Sequence, residues 1–258
     1  MNPLFSTSSL MILESLSFTQ TLYAFDFDGT LSKIVRMPGE AKVSSKTDEL
    51  LRELAGLVPV AVISGRSIHD LRERLSFQPP YLVGNHGLEG LDATNDALAS
   101  AKSVCDRWKK ALSVVRFDTG VEIEDKVYSL SVHYRRSRKK KKSRQYIEQV
   151  IAQLQPAPRV IRGKSVFNLL PEGAPHKGIA VLELMQKIGM KHVFYIGDDD
   201  TDEDVFSVAD SRVMSVRVGK KKNSHARYFI KRQSEINQLL KKLIRYQRSL
   251  NSEKGFEA

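Results

Sequence analysis

The chain has 258 residues, of which 41% are hydrophobic, enough for a globular protein with one core domain and a smaller module. Its single cysteine, Cys105, excludes an internal disulfide framework, is typical of a reducing compartment, and is expected in a helix core rather than as a nucleophile. The formal net charge of +11 favours anionic partners such as phosphorylated small molecules, nucleic acid or anionic lipid.

The start of the chain does not resemble a secretory signal. Met1 to Thr21 lacks a basic beginning, and Glu14 interrupts its apolar stretch. No segment approaches the roughly twenty consecutive apolar residues that a membrane span needs. We therefore expect a cytoplasmic protein without a membrane partner, whose first dozen or so residues lack fixed structure.

The first part of the chain alternates between strand and helix patterns. A buried strand is predicted at Tyr23 to Phe27, and a helix with Ser45 as a plausible N-cap follows at Ser44 to Leu57. Further elements are predicted, in order, as a strand at Val58 to Ile63, a helix at Ser67 to Leu75 capped by Ser67, and a strand at Tyr81 to Val83. This alternation is typical of a parallel, doubly wound sheet.

The middle of the chain has a different pattern. A long helix is predicted at Ala93 to Leu112, followed by strands whose polar and apolar residues alternate, as in antiparallel sheets with one wet face. These later elements are strands at Val121 to Ile123 and Val127 to Tyr134, a helix at Ser143 to Leu154, and short strands within Val160 to Leu170. The sequence therefore predicts an α+β insert over residues 91–171, in an α/β core made of residues 1–90 and 172–258.

The core pattern resumes after the insert. Its predicted elements are a helix at Lys177 to Ile188, a strand at Val193 to Ile196, a helix at Asp202 to Ala209, a strand at Arg212 to Val218 and an amphipathic helix at Ser234 to Leu250.

Two aspartates, Asp26 and Asp28, end the first predicted strand and precede Gly29. A buried strand should not carry unpaired charges in its middle, so we expect both at its carboxyl end, where open α/β sheets bind ligands. Side chains two residues apart on a strand point the same way. Two convergent carboxylates beside a glycine turn form a candidate site for a hard cation.

Three distant segments supply matching parts: Ser64-Gly-Arg66 after a predicted strand, His176-Lys-Gly178 before a helix, and the acidic run Gly197 to Asp204 after another strand. Together with Asp26-x-Asp28 they resemble the four motifs of the haloacid-dehalogenase-like phosphatase superfamily. Within it, the chain resembles the trehalose-6-phosphate phosphatases. This resemblance is carried by the segments Gly84-Asn-His-Gly-Leu-Glu89, Glu124-Asp-Lys126, His133-Tyr-Arg135 and Gly163-Lys164.

The resemblance implies a Rossmann-like core, a mobile cap formed by the insert, and phosphoryl transfer with Mg²⁺. Asp26 would be the nucleophile that forms an aspartyl-phosphate, and Asp28 the general acid and base. Ser64 and Lys177 would hold the transferring phosphoryl group. The implied metal ligands are Asp26, Asp28 through its backbone carbonyl, and Asp198, with Asp202 in support and Asp199 as a further candidate.

The implied substrate is trehalose 6-phosphate, hydrolysed in the final step of trehalose biosynthesis by a protein expected to be monomeric. The candidate substrate-binding residues are Arg66, Asn85 and His86 in the core and Glu124, Lys126, Arg135, Lys164 and Asn168 in the insert. Asn168 departs from the family pattern G-K-x-V-x-E, which has an acid at this position. An amide can accept a hydrogen bond and can also donate one, but it carries no charge.

Two alternatives remain open at this stage. The Asn168 departure is compatible with another glycosyl phosphate, such as mannosyl-3-phosphoglycerate or sucrose 6-phosphate. The basic run Arg135 to Arg144 and the net charge are compatible with an anion- or nucleic-acid-binding module on an inactive phosphatase fold. We expect no nucleic-acid partner, because the run lacks interleaved aromatic residues, and we expect it to raise the local potential for an anionic substrate.

Overall fold

The computed structural model describes residues 1–35, 37–91 and 94–254. Within them, a seven-stranded sheet has the order β1-β11-β10-β9-β2-β3-β4, and every neighbouring pair is parallel. Its strands are β1 (Asn2–Pro3), β2 (Thr21–Phe25), β3 (Val60–Ile63), β4 (Tyr81–Val83), β9 (His192–Gly197), β10 (Val213–Val218) and β11 (Tyr228–Ile230). β2 is an interior strand next to the central β9 and is buried along its whole length, as expected for a parallel strand covered on both faces.

Helices cover both faces of this sheet. They are α1 (Thr7–Ser15), α2 (Ser45–Ala55), α3 (Ile68–Arg74), α6 (Lys177–Lys187), α7 (Glu203–Phe206) and α8 (Ile236–Lys254). Alternate residues of β2 enter opposite cores: Tyr23 and Phe25 pack in the cluster that contains residues of α2 and α8, whereas Leu22 and Ala24 pack in the cluster that contains residues of α6. Hydrophobic burial on both faces therefore fixes β2 and the residues that follow it.

A second, four-stranded antiparallel sheet has the order β5-β6-β8-β7. Its strands are β5 (Glu122–Asp125), β6 (Leu130–His133), β7 (Arg159–Gly163) and β8 (Val166–Leu170), and its helices are α4 (Asn95–Ser113) and α5 (Lys140–Ile151). One face packs on these helices around Trp108, Val132 and Phe167. Because residues alternate between faces, the other face carries the polar side chains of the strands.

The predicted fold class is therefore confirmed: an α/β parallel-sheet core carries a separate antiparallel sheet with its own helices, which we call the cap. The domain boundaries at residues 91 and 171 stay a prediction. No helix in the described part of the chain is long and apolar enough to cross a membrane.

Several local predictions were wrong. The start of the chain is ordered, because Leu4 and Leu13 are fully buried in the same core cluster as residues of α8. The N-cap of α2 is Ser44, whose side chain accepts a hydrogen bond from the Thr47 amide, and not its neighbour Ser45. The strand predicted from Val127 begins at Leu130, since Val127 has a φ of 71° in the turn between β5 and β6.

The helix predicted from Asp202 to Ala209 is shorter. A 3₁₀ turn at Asp200–Asp202 precedes α7, which ends at Phe206.

Candidate active site

The carboxyl ends of neighbouring parallel strands bring the predicted motifs together. Asp26 and Asp28 follow β2, Ser64 follows β3 and Asp198 follows β9, and these three strands are adjacent in the sheet. Lys177 is the first residue of α6. All five side chains line one pocket between the sheet edge and the cap.

Lys177 joins two buried carboxylates at the bottom of this pocket. Its Nζ donates to Asp26 Oδ1 and to Asp202 Oδ1, each at 2.7 Å. The Tyr195 hydroxyl donates to the same Asp202 oxygen at 2.6 Å, and the Asp199 amide donates to Asp202 Oδ2 at 2.9 Å. Asp202 is 0% exposed, so its position is fixed by these donors.

Three carboxylates, from Asp26, Asp198 and Asp202, lie close enough to share a cation: one oxygen from each falls within 4.8 Å of the others. Glycines allow this approach, because a Cβ on Gly29 would lie 2.3 Å from the carboxyl carbon of Asp198, and one on Gly197 would lie 2.2 Å from that of Asp202. Oxygen ligands clustered in this way suit Mg²⁺.

Buried negative charge exceeds buried positive charge at this cluster. Burial raises the pKa of Asp26 well above its usual range, Lys177 opposes the rise, and Asp202 and Asp198 add to it. Burial likewise raises the pKa of Asp198 to about 6, while Lys164 opposes the rise from 3.0 Å. Burial alone would raise the pKa of Asp202 too, but Lys177 leaves it below the usual value. A divalent cation would balance the remaining negative charge, so the residues present fit such an ion.

Arg66 holds the side chain of Asp28, which lines the same pocket as Asp26. The guanidinium donates two hydrogen bonds to its carboxylate, from Nε at 2.6 Å and from Nη2 at 2.7 Å. Arg66 also donates to Asp70 at 2.6 Å, and Asp70 in turn accepts from Arg74. The Asp28 side chain is nevertheless 43% exposed, which leaves it accessible to a substrate. Bidentate pairing of this kind fixes orientation as well as charge.

His86 lies in the pocket wall with neither ring nitrogen hydrogen-bonded to the described residues. It is 3% exposed, and its φ of 59° is the left-handed conformation, which is strained for a side chain other than glycine. Burial lowers the pKa of His86 well below its usual range, and Lys126 and Lys177 lower it further. The imidazole is therefore neutral, with one donor and one acceptor nitrogen, and both nitrogens are sealed from solvent.

The polar face of the cap forms the wall of the pocket that faces the core. Glu124, Lys126, Arg135, Lys164 and Asn168 all line it, as predicted from the sequence. Burial would raise the pKa of Glu124, but Lys126 and His133 bring it down to about 2. The cap carboxylate is therefore ionised at neutral pH.

Three cap side chains also reach the core. Lys126 Nζ donates to the Gly65 carbonyl at 3.0 Å, Arg135 donates to the Val35 carbonyl at 2.6 Å, and Lys164 Nζ lies 3.0 Å from Asp198. These contacts span the pocket and hold the two sheets together around it.

Asn85 does not line the pocket, contrary to its predicted contact with the substrate. It is 0% exposed, and its Nδ2 donates to Glu89 at 2.7 Å and to the Lys126 carbonyl at 3.1 Å, while its Oδ1 accepts from Ser129. These bonds occupy both the nitrogen and the oxygen of the amide. They also tie the core to the turn of the cap that carries Lys126. Asn85 thus supports the position of Lys126 rather than meeting a ligand.

Asp199, the further candidate for a metal ligand, lies outside the three-carboxylate cluster. It lines the pocket, and its Oδ1 is buried without a hydrogen-bond partner among the described residues.

Several site residues were missed by sequence reasoning. His133 lines the pocket and pairs with Glu124 at 2.8 Å; the two-residue spacing to Arg135 could have indicated that both share a face. Arg217 donates to the carbonyls of Asp198 and Asp199, at 2.6 Å and 3.1 Å. This arginine lies far from the acidic turn in sequence, so no local signal could have found it. Tyr195 comes just before the turn, but within the buried strand β9 its pattern indicates only a core residue.

The basic run is divided between the wall of the pocket and the surface of the cap. Arg135 and Arg136 line the pocket, and Arg136 pairs with Glu122 at 2.6 Å. Lys139 is the N-cap of α5, and the residues at 139–142 are all exposed. Ser143, which follows them in the helix, is buried. Lysines in the first turn oppose the helix dipole, so the run does not stabilise the helix that it begins.

The parallel core and the antiparallel cap together form a haloacid-dehalogenase-like fold, with the acidic site between them. Residues 24–234 match the family model for trehalose-phosphatase. This match covers most of the chain, which therefore belongs to the trehalose-phosphatase family.

Individual relatives agree with this assignment. The chain is 28% identical over 253 residues to trehalose-phosphate phosphatase B of Arabidopsis thaliana, covering 89% of this chain and 67% of the relative. It is 34% identical over 214 residues to the trehalose-phosphate phosphatase of Mycobacterium tuberculosis, covering 78% of this chain and 54% of the relative. The chain thus spans between about half and two thirds of the length of these two relatives.

Among solved structures, the C-terminal domain of Candida albicans trehalose-6-phosphate phosphatase superposes with a TM-score of 0.74 at 24% identity, covering 95% of this chain and 98% of that one. At this identity the superposition supports the shared fold.

Proposed function

We propose that this protein is a Mg²⁺-dependent phosphatase that hydrolyses trehalose 6-phosphate to trehalose and phosphate. The observation that carries the proposal is the pairing of Asp26, buried and bonded to Lys177, with Asp28, exposed and clamped by Arg66. Membership of the trehalose-phosphatase family supports the substrate.

Asp26 is the nucleophile, and its carboxylate attacks phosphorus to form an aspartyl-phosphate while the sugar oxygen leaves. Asp28, entering the step in its protonated form, gives its proton to that leaving oxygen, and the carboxylate that remains then removes a proton from the water that attacks the phosphoenzyme. The double hydrogen bond from Arg66 keeps the Asp28 carboxylate facing the reacting group.

Asp26, Asp198 and the Asp28 carbonyl would hold Mg²⁺, with Asp202 orienting Lys177 behind them. When bound, the ion supplies positive charge against the phosphoryl oxygens. Lys177 stabilises the same developing charge from the protein side, and Ser64 offers its hydroxyl to a phosphoryl oxygen.

The cap binds the sugar part of the substrate. Glu124 is an ionised acceptor for sugar hydroxyls, and Lys126, Arg135 and Lys164 are donors on the same face. Phosphate release would thus depend on the core, and the choice of sugar on the cap.

The proposal is tested by phosphate release from trehalose 6-phosphate with and without Mg²⁺. Release should require the ion, and Asp26→Asn should lower it by at least about a thousandfold, because no nucleophile remains. Asp96→Asn, which removes an exposed aspartate on α4, is the matched control and should keep normal activity. Near-normal turnover by Asp26→Asn would refute the covalent mechanism.

A second candidate substrate is a different glycosyl phosphate, favoured by the uncharged Asn168 in the pocket. A panel that includes sucrose 6-phosphate and mannosyl-3-phosphoglycerate separates the two by their relative kcat/KM. No Mg²⁺-dependent turnover of any sugar phosphate, together with salt-sensitive DNA binding, would instead support an inactive binding module.

A further inference from the structure

A row of three polar side chains crosses the middle of the cap sheet. The strand register places Glu124 opposite Ser131, and Ser131 opposite Asn168. Residues paired directly across antiparallel strands lie on the same face, and Glu124 and Asn168 both line the pocket. The two ends of this row, Glu124 and Asn168, are therefore part of the surface that faces a bound sugar, and Ser131 lies buried between them.

Ser131 fixes the orientation of the Asn168 amide. Ser131 is 0% exposed, and its Oγ donates to Asn168 Oδ1 at 2.6 Å. Within the described part of the chain this hydroxyl has no other hydrogen-bond partner. The neighbouring Glu124 carboxylate pairs instead with His133 at 2.8 Å and with Lys126 at 3.7 Å, both through its Oε2. A buried hydroxyl needs an acceptor, so the amide oxygen must stay turned toward Ser131.

The nitrogen end of the amide is then the end that a ligand meets. Asn168 Nδ2 has no hydrogen-bond partner among the described residues, and it is not among the polar atoms sealed from solvent. An amide NH₂ can only donate. The acid that the family pattern has at this position can only accept when ionised, so the hydrogen-bond polarity of the cap surface is reversed here.

We propose that Ser131 and Asn168 together determine specificity by presenting a hydrogen-bond donor to the sugar half of the substrate. The site thereby selects glycosyl phosphates that offer an acceptor oxygen at this point. This inference rests on the proposed function, since it concerns the sugar held by the same pocket.

Deoxy and deoxyfluoro analogues of trehalose 6-phosphate distinguish a donor from an acceptor on the protein. A fluorine can accept weakly but cannot donate, whereas a hydrogen does neither. Each hydroxyl of the ring without phosphate is replaced in turn, and dissociation constants are measured by calorimetry in the Asp26→Asn background, where no turnover occurs. At one ring position the fluoro analogue should bind more tightly than the deoxy analogue by about twofold, the lower end of the range of one neutral hydrogen bond, because fluorine accepts weakly.

Two variants test the pair itself. Asn168→Glu should lower this ratio to one or below, because fluorine would then face a carboxylate. Ser131→Ala should bring it toward one, because the freed amide can present either end. Ser103→Ala, on an exposed position of α4, is the matched control and should keep the original ratio.

A ratio of one at every ring position in analogues that bind would overturn the inference and leave the proposed function standing. An unchanged ratio in Ser131→Ala would also contradict the role of the pair. Absence of phosphate release from trehalose 6-phosphate by the active chain would refute the proposed function, and the binding ratios would still be readable. If none of the analogues binds, both proposals fail.

Discussion

Replacing Asp198 with asparagine should stabilise the metal-free protein. This carboxylate is 5% exposed, and burial raises its pKa from 3.8 to about 6. The shift of about two units means that the ionised group disfavours the folded state by about 3 kcal/mol at neutral pH, at 1.36 kcal/mol per unit. For a chain of this size, relief of that cost should raise the melting temperature by several degrees.

The pH dependence follows from the direction of the shift. Above pH 6, Asp198 is charged in both states, and the full cost of its charge is present in the folded state. As pH falls from about 6 toward 3.8, the folded state takes up the proton first, so the cost disappears. The stability gained by Asp198→Asn should therefore be largest at pH 7 to 8 and vanish near pH 4, a range set by the pKa shift.

Differential scanning calorimetry in EDTA, across this pH range, measures the effect. Glu183→Gln, which removes a carboxylate from an exposed position of α6, is the control and should show no such gain. Added Mg²⁺ should reverse the order at about 1,000 times its Kd, because binding then stabilises the parent by about 4.1 kcal/mol, more than the cost of the buried charge, and the variant much less. Loss of stability in Asp198→Asn at pH 7.5 without metal would refute this account of the buried charge.

Two further predictions concern the cap. Glu124→Ala should raise the KM for trehalose 6-phosphate about tenfold while changing hydrolysis of an aryl phosphate far less, because the carboxylate contacts sugar hydroxyls; equal losses on both substrates would contradict that role. Lys141→Glu, at the exposed start of α5, should lower kcat/KM at low ionic strength and weaken its dependence on salt, since the basic run attracts a dianionic substrate. Lys241→Glu, at an exposed position of α8, is the control, and an identical salt response in both variants would exclude a specific effect of the run.

The relation between sequence and fold is clearest at β2. Its apolar run and the acids directly after it predict a buried strand with charged groups at its end, and the structure has this arrangement. Burial and side-chain alternation are local properties, so they can be read from neighbouring residues. Prediction was wrong at the start of the chain, because the burial of Leu4 depends on α8, more than two hundred residues away.

By itself, the sequence determined the class of fold and the chemical nature of the site, since the acids, the lysine and the glycines stand in short motifs at strand ends. Only the tertiary structure decided which of these groups touch. Arg66 clamps Asp28 across 38 positions, and Asn168 turns its amide because Ser131 lies opposite it across 37. Such pairs depend on sheet order and strand register, which bring distant residues to one face. The donor or acceptor character of a side chain is therefore known from its type, but the end that it presents to a ligand is set by its neighbour in space.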